Sequence, residues 1–146
     1  IFNDKGELLI QRRQLSKKNM PGLWDVSVSG KVCSGETARQ AAERETTEEL
    51  GLKIDFSGEI PAFSYSYPQG FGDVFVLRRN IDLSELTLQP EEVMDARWAS
   101  RSEVLKMLGK GDFVPFMPGF ADMLFDRADY EGVLRLETEG RFVKGW

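Results

Sequence analysis

Residues 30–52 read GKVCSGETARQAAERETTEELGL, a turn with two glycines followed by a helix rich in carboxylates. Thr37 and Gln40 form a capping-box pair, in which the Thr side chain accepts from the first helical turn and the Gln side chain reaches back. Gly51 supplies the left-handed residue that commonly ends a helix. The pattern therefore predicts a helix over 37–50, directly after a flexible turn.

Three acids of this helix, Glu45, Glu48 and Glu49, have spacings that bring them to one side. Like charges at such spacings destabilise a helix by roughly 0.2–0.5 kcal/mol per pair. Glu48 and Glu49 also lie in the last turn, where the helix dipole disfavours anions. The simpler alternative is an acidic face that meets only water. Because the acids oppose helix stability, we favour a cluster that converges on a bound divalent cation.

The preceding turn, rich in glycine, adds Glu36 and backbone carbonyls beside the same helix. Oxygen ligands suit Mg²⁺ or Mn²⁺, which keep several waters and bind a few carboxylates together with substrate phosphates. Arg44 can pair with a neighbouring carboxylate and hold it in place. The one cysteine, Cys33, is expected to be a partly buried packing residue.

The spacing resembles the Nudix box: glycine, five residues, Glu, seven residues, Arg-Glu, an aliphatic residue, any residue, Glu-Glu, any residue, glycine and an aliphatic residue. Every polar and glycine position of the box is present, and the one departure is Thr46 at the first aliphatic position. Thr is close to Val in shape. The departure therefore bears on packing beneath the helix more than on chemistry.

The resemblance implies an α/β fold, an α/β/α sandwich with a mixed β-sheet. It also implies hydrolysis of a nucleoside diphosphate linked to a further group X, or of a similar diphosphate, with Mg²⁺ or Mn²⁺ as cofactor. One of the acids would take a proton from the attacking water. The implied site residues are the metal-binding acids Glu45, Glu48 and Glu49, the outer acid Glu36, a carbonyl ligand at Ser29 or Gly30, and the catalytic residues Glu45, Glu48 and Arg44.

Three further stretches, 8–13, 21–25 and 91–98, resemble the branch of the family that includes isopentenyl-diphosphate isomerases. That branch suggests a second function, isomerisation of a five-carbon diphosphate. Its isomerases use a cysteine just before the box glycine and several histidines, whereas this chain has Ser29 and Lys31 there and no histidine. A third alternative is a module that binds a nucleotide without turnover, as relatives with damaged boxes do; the acid set here is intact.

Candidate substrate contacts lie outside the box. Arg12 and Arg13 could meet phosphates, and Tyr65 and Phe71 could stack on a base or cover an apolar group. Exposed basic residues and core aromatic residues are the common alternatives for such positions. A further carboxylate could reach the metals from outside the box, and we favour Glu92 for that role.

Strand and helix signals alternate along the chain without repeats or linkers, which predicts a single domain over 1–146. Because Ile1 opens the chain inside a predicted strand without an initiator Met, we expect further residues upstream. The other predicted elements are a hairpin of 1–2 and 7–13, a short strand and turn over 30–35, strands at 24–28, 52–56, 60–67, 71–79 and 93–99, and helices at 100–108 and 119–128.

The composition of the chain excludes several classes of binding partner and site. The net charge of −5 over 146 residues argues against a nucleic-acid partner bound through its phosphates. The absence of histidine excludes Cys/His zinc sites and histidine triads. No apolar run is long enough to span a membrane, and the single cysteine favours a cytoplasmic location. We expect a small-molecule diphosphate as partner, and the resemblance implies a homodimer as a frequent assembly.

Overall fold

The structure is a computed structural model that describes residues 1–129. Part of the predicted domain, residues 130–146, lies outside the described residues. The elements are β1 (Leu8–Arg13), β2 (Trp24–Asp25), α1 (Ala38–Leu50), β3 (Phe63–Tyr67), β4 (Gly70–Val74), a 3-10 turn (Leu83–Glu85), β5 (Val93–Ala99), α2 (Arg101–Lys110) and α3 (Phe120–Asp129).

Strand β1 lies at the centre of a three-stranded antiparallel sheet with the order β2-β1-β5. Strands β3 and β4 form a separate antiparallel hairpin. Parallel pairing occurs at two single bridges, Phe2 with Arg78 and Trp24 with Phe113. The pairing is thus mixed, with regular ladders that are antiparallel.

Alternate residues of β1 point to the two sides of the sheet and build two cores. Leu8 and Ile10 join a core with residues of α2 and α3, including Val104 and Phe125. Leu9 joins a second core with Leu50 of α1. One layer of sheet therefore separates α1 from α2 and α3, which is the predicted α/β/α sandwich.

Local signals set the helix ends as predicted. Thr37 caps α1 and Ser100 caps α2, each with a complete capping box. Helix α1 ends at Gly51, whose φ of 72° is left-handed. Thr46, at the box position that departs from the aliphatic pattern, is buried beneath the helix and donates from its hydroxyl to the carbonyl of Ala42 at 2.6 Å.

Two predicted strands are wrong: residues 30–35, predicted as a short strand and turn, form only the turn, and residues 52–56 form no strand. The backbone of the first segment is engaged by side chains instead, since Lys31 N–H donates to Glu45 and Cys33 N–H donates to Glu36. In the second segment, Leu52 and Ile54 pack against the α1-side core without pairing to a strand. Apolar alternation thus indicates burial in the second segment and does not indicate a ladder.

Three other strands are shorter than predicted, the first being 60–67, which keeps only Phe63–Tyr67. The segment 24–28 keeps only Trp24–Asp25, because Val26 N–H donates to the Asp25 carboxylate at 2.8 Å rather than to a neighbouring strand. The segment 71–79 ends its ladder at Val74 and then pairs around Phe2, whose N–H donates to the carbonyl of Leu77 at 2.8 Å.

Candidate functional site

The side chain of Glu45 lies directly over Gly30. A Cβ atom built on Gly30 would stand 2.1 Å from the carboxyl carbon of Glu45, far inside contact distance. The Lys31 N–H donates to the same carboxylate at 3.3 Å. The glycine turn thus comes close enough for its backbone and the acids of α1 to form one surface.

Arg44 ties three of the acids together. Its guanidinium lies 2.9 Å from Glu36, 2.9 Å from Glu45 and 3.0 Å from Glu48, and it also donates to the carbonyl of Lys31 at 3.0 Å. Hydrogen bonds from Arg44, then from the Cys33 backbone, lower the pKa of Glu36 to about 2. Glu36 is therefore an anion that fixes Arg44, as the outer position of the box suggests.

Cys33 does not have the predicted packing role. It is exposed, and its sulfur lies 3.8 Å from a nitrogen of Arg44. The turn that carries it stands off the sheet and is held by polar contacts to the acids and to Arg44.

Glu49 is the buried member of the acid set, with 6% of its surface exposed. Burial, followed by the nearby charges of Glu45 and Glu92, raises the pKa of Glu49 to about 7, against hydrogen bonds from Gln11 and the Ser29 backbone. The carboxylates of Glu45 and Glu92 are thus close enough to repel that of Glu49. Among residues 1–129, Glu92 is the acid outside the box whose charge acts on Glu49.

Glu92 reaches the cluster from the segment before β5. Its carboxylate pairs with Lys17, in the loop between β1 and β2, and its backbone carbonyl accepts from Gln14 N–H at 2.8 Å. The loop that carries Lys17 is therefore held against the segment that carries Glu92, just before β5.

Across residues 1–129, no three acidic or cysteine side chains already stand around one point as metal ligands. Arg44 draws Glu45 and Glu48 toward itself. The donors nevertheless fit a hard divalent cation, since they are carboxylates joined by a close glycine backbone. A bound cation would favour the charged form of Glu49 and so offset the burial, and the nearby negative charges, that raise its pKa.

The contacts of the four predicted substrate residues involve groups outside the acid set, and one of the four is largely exposed. Arg12 covers the ring of Trp24 at 5.9 Å and donates to the carbonyl of Gly22 at 2.9 Å. Arg13 pairs with the buried Asp25 at 3.1 Å and donates to loop carbonyls. Tyr65 packs edge-on against a ring of α3, and Phe71 is 72% exposed on β4.

Gln11 is a buried residue that no sequence pattern singles out for a role. Its side-chain amide donates to Oε2 of Glu49 at 2.8 Å. The one signal available from sequence is an amide that follows three apolar residues in the central strand. Its partner lies 38 positions away, so local spacing could not identify it.

The described part of the chain, residues 1–129, has no helix with the length and apolar character needed to cross a bilayer.

Comparison with known proteins gives concordant results. The family model of the NUDIX domain matches residues 1–120. A Nudix hydrolase from Listeria monocytogenes, itself uncharacterised, is 47% identical over 126 residues, covering 86% of this chain and 73% of that protein. An isopentenyl-diphosphate Δ-isomerase from Salmonella heidelberg is 40% identical over 116 residues, covering 74% of this chain and 62% of that protein.

Similarity extends to the fold. The crystal structure of a Deinococcus radiodurans protein, DR0079, superposes with a TM-score of 0.69 at 32% identity, covering 87% of this chain and 77% of that one. The intact box, the sandwich that presents it and the matching family model lead to one conclusion: the chain belongs to the Nudix family.

Proposed function

We propose that this protein is a metal-dependent hydrolase that cleaves the diphosphate bond of a nucleoside diphosphate linked to a group X, or of a similar diphosphate. Membership of the family and 47% identity to a Nudix hydrolase support a hydrolase. The observation that carries the finer proposal is the buried carboxylate of Glu49, on the helix whose Glu45 covers the close-packed turn at Gly30.

In this proposal Mg²⁺ or Mn²⁺ is held by carboxylates and one backbone carbonyl. When bound, such a cation neutralises diphosphate oxygens and lowers the pKa of a water for in-line attack at phosphorus. The proposed ligands are Glu45, Glu48 and Glu49, the carbonyl of Gly30, Glu92 from outside the box, and Glu36 in the outer position.

The chain's own residues divide the remaining work. A carboxylate of Glu45 or Glu48 accepts the proton of the attacking water. Arg44, anchored on Glu36 at 2.9 Å, limits the directions in which these two acids can point. Such orientation raises the fraction of time that the base spends in a reactive geometry.

In this proposal, the group X is recognised by pocket residues outside the box. We keep Arg12, Arg13, Tyr65 and Phe71 as proposed substrate contacts. Of these, the exposed ring of Phe71 is the most accessible to a base, whereas Arg13 would have to leave Asp25 to reach a phosphate.

The test is a panel of nucleoside diphosphate sugars, dinucleoside polyphosphates, nucleoside triphosphates and nucleotide cofactors, incubated with Mg²⁺, Mn²⁺ or EDTA and analysed by mass spectrometry. We expect cation-dependent cleavage between two phosphorus atoms of at least one class. Cleavage that is equally fast in EDTA would contradict the metal-dependent mechanism.

Substitution tests the roles. Glu48→Gln removes a proposed ligand and base candidate, and we expect turnover at saturating Mg²⁺ to fall by on the order of 10²–10⁴. The matched control is Glu43→Gln on the same helix, whose Oε1 accepts from Phe56 N–H at 3.1 Å and can still do so as an amide. Equal turnover in the two variants would disprove the assignment of Glu48.

The second candidate function is isomerisation of isopentenyl diphosphate, favoured by the isomerase that is 40% identical. Against it stand Ser29 and Lys31 at the positions where the resemblance expects cysteine and histidine, and the absence of histidine from the sequence. Adding isopentenyl diphosphate to the panel separates the two. Formation of its isomer would replace hydrolysis as the proposal, and tight binding of one compound without turnover would indicate a non-catalytic module.

A cytoplasmic location and a homodimer stay predictions. Light scattering of the purified protein at several concentrations tests the second.

A further inference from the structure

Gln11 lies in the middle of the central strand, on the side of the sheet that α1 covers. Its neighbours across the sheet are Asp25 on β2 and Ala96 on β5. Only 3% of its surface is exposed. A polar side chain at such a position is removed from water on every side.

The nitrogen and the oxygen of the Gln11 side-chain amide differ in their hydrogen bonding. Nε2 donates to Oε2 of Glu49 at 2.8 Å, whereas the buried Oε1 has no partner among residues 1–129. Turning the amide over would leave Oε1 against the carboxylate oxygen, so the orientation is set by Glu49. The contact to Glu49 is thus kept while the other end of the amide stays unsatisfied.

The fold itself does not need an amide there. Leu9, two residues earlier on the same side of β1, is completely buried in the core with Leu50. An apolar side chain at position 11 would bury without an orphan acceptor. Buried polar groups that lack partners are uncommon and concentrate at functional sites. The contact to Glu49 is the structural feature that the amide provides.

Glu49 stands at the end of α1, and its side chain could otherwise turn away from the sheet. The donor on Gln11 holds it inward, against the buried middle of β1. Metal-binding carboxylates commonly depend on such outer hydrogen bonds, and losing one costs about tenfold to a hundredfold in metal affinity.

We propose that Gln11 is a positioning residue for the cation site, acting through Glu49 and touching neither metal nor substrate. This inference rests on the proposed function, because it assumes that Glu49 ligates the cation. It predicts that Gln11 governs metal affinity in the absence of any substrate.

The test is the affinity of the folded protein for Mn²⁺ alone, measured by isothermal titration calorimetry. Gln11→Met keeps the length of the side chain and removes the donor. We expect Mn²⁺ affinity to fall by about tenfold to a hundredfold, with an unchanged or higher unfolding midpoint in EDTA, because the orphan acceptor is gone. Gln11→Leu repeats the test with a different apolar shape.

The matched control is Thr46→Val, another buried polar side chain, whose hydroxyl donates within α1 to the carbonyl of Ala42. We expect Mn²⁺ affinity to stay within about twofold of the unaltered protein, since its hydrogen bond lies outside the acid set. A general loss of packing in the core would instead weaken binding in both variants, and that result would overturn the positioning role.

A double-mutant cycle tests the route. If Gln11 acts through Glu49, Gln11→Met adds little to the loss already caused by Glu49→Gln. Fully additive losses, or Mn²⁺ affinity unchanged in Gln11→Met, would overturn the inference while leaving the hydrolase intact. Absence of Mn²⁺ binding by the unaltered protein would instead overturn the proposed function, and the positioning role with it.

Discussion

At the residue scale, the Glu45 carboxylate lies so close to Gly30 that there is no room for a side chain at that position. Gly30→Ala places a methyl group 2.1 Å from the present position of the Glu45 carboxyl carbon. Because the obstructing atoms are the end of a flexible side chain, we expect the fold to survive and the carboxylate to move. The unfolding free energy should change by less than about 1 kcal/mol, while turnover falls at least about tenfold.

Gly58→Ala is the control for the Gly30 variant, since a Cβ there meets nothing within 4 Å. Urea unfolding and a turnover assay on both variants check the prediction. A Gly30→Ala protein with unaltered turnover would show that the position of Glu45 is unimportant for the reaction.

Single residues also show where sequence reasoning stops. The role of Arg44 was predictable because its partners Glu45 and Glu48 lie within one helical turn. No pattern in the sequence distinguishes Glu92 from the other acids outside the box. In the structure, its charge acts on Glu49. Gln11 could not be predicted, because its contact exists only after β1 has packed on α1.

At the scale of elements, α1 and α2 end in the same way and differ in their surroundings. Gly51 and Gly111 both have left-handed φ, at 72° and 76°. A Cβ on Gly51 would stand 2.7 Å from the Cβ of Thr87, whereas one on Gly111 meets nothing within 4 Å. Alanine substitutions at Gly51 and Gly111 therefore distinguish the cost of backbone strain from the cost of a steric clash.

We expect Gly111→Ala to lower the free energy of unfolding by about 1–2 kcal/mol, the cost of left-handed backbone for a residue with Cβ. Gly51→Ala should cost more, because the segment that carries Thr87 must also move. Urea denaturation of both variants measures the difference. Equal losses of unfolding free energy in the two variants would mean that the segment carrying Thr87 moves aside without an energetic cost.

Elements with their own local signals were predictable, and elements that depend on distant partners were not. Capping boxes and terminal glycines fixed α1 and α2 to within one or two residues. Residues 52–56 alternate like a strand, yet their apolar side chains pack on the core while their backbone joins no ladder. Alternation reports burial, whereas a ladder requires a neighbouring strand edge.

At the scale of the whole molecule, the acid cluster adds local repulsion to a chain of net charge −5. A bound divalent cation should therefore stabilise the fold. At a free concentration about 100 times its dissociation constant, Mg²⁺ would add about 2.7 kcal/mol to the free energy of unfolding. Thermal unfolding in Mg²⁺ and in EDTA measures this.

Sodium chloride at matched ionic strength is the control, because it screens charges without occupying a site. A midpoint raised equally by both salts would indicate screening alone. The prediction further requires that EDTA reverse the Mg²⁺ effect.

The sandwich fold was predictable because residues 30–52 resemble the Nudix box, and that resemblance implies the fold that carries this turn and helix. The substrate was not predictable. The four proposed contacts on β1, β3 and β4 either bind other groups of the protein or are exposed, and neither state identifies the group X. Residues that shape a pocket for X act through tertiary placement, which spacing along the chain does not encode.

The alternation of β1 also restricts how this lineage can change in length. One residue inserted between Ile10 and Gln11 would put the two parts of the strand out of step: either Leu8, Leu9 and Ile10 would exchange sides and disrupt both cores, or the Gln11 amide would turn away from Glu49. The bulge after Arg12 lies beyond that point, where an irregular register leaves the earlier residues in place. Insertions that survive selection should therefore accumulate in the loop after β1 and be rare within its first four residues.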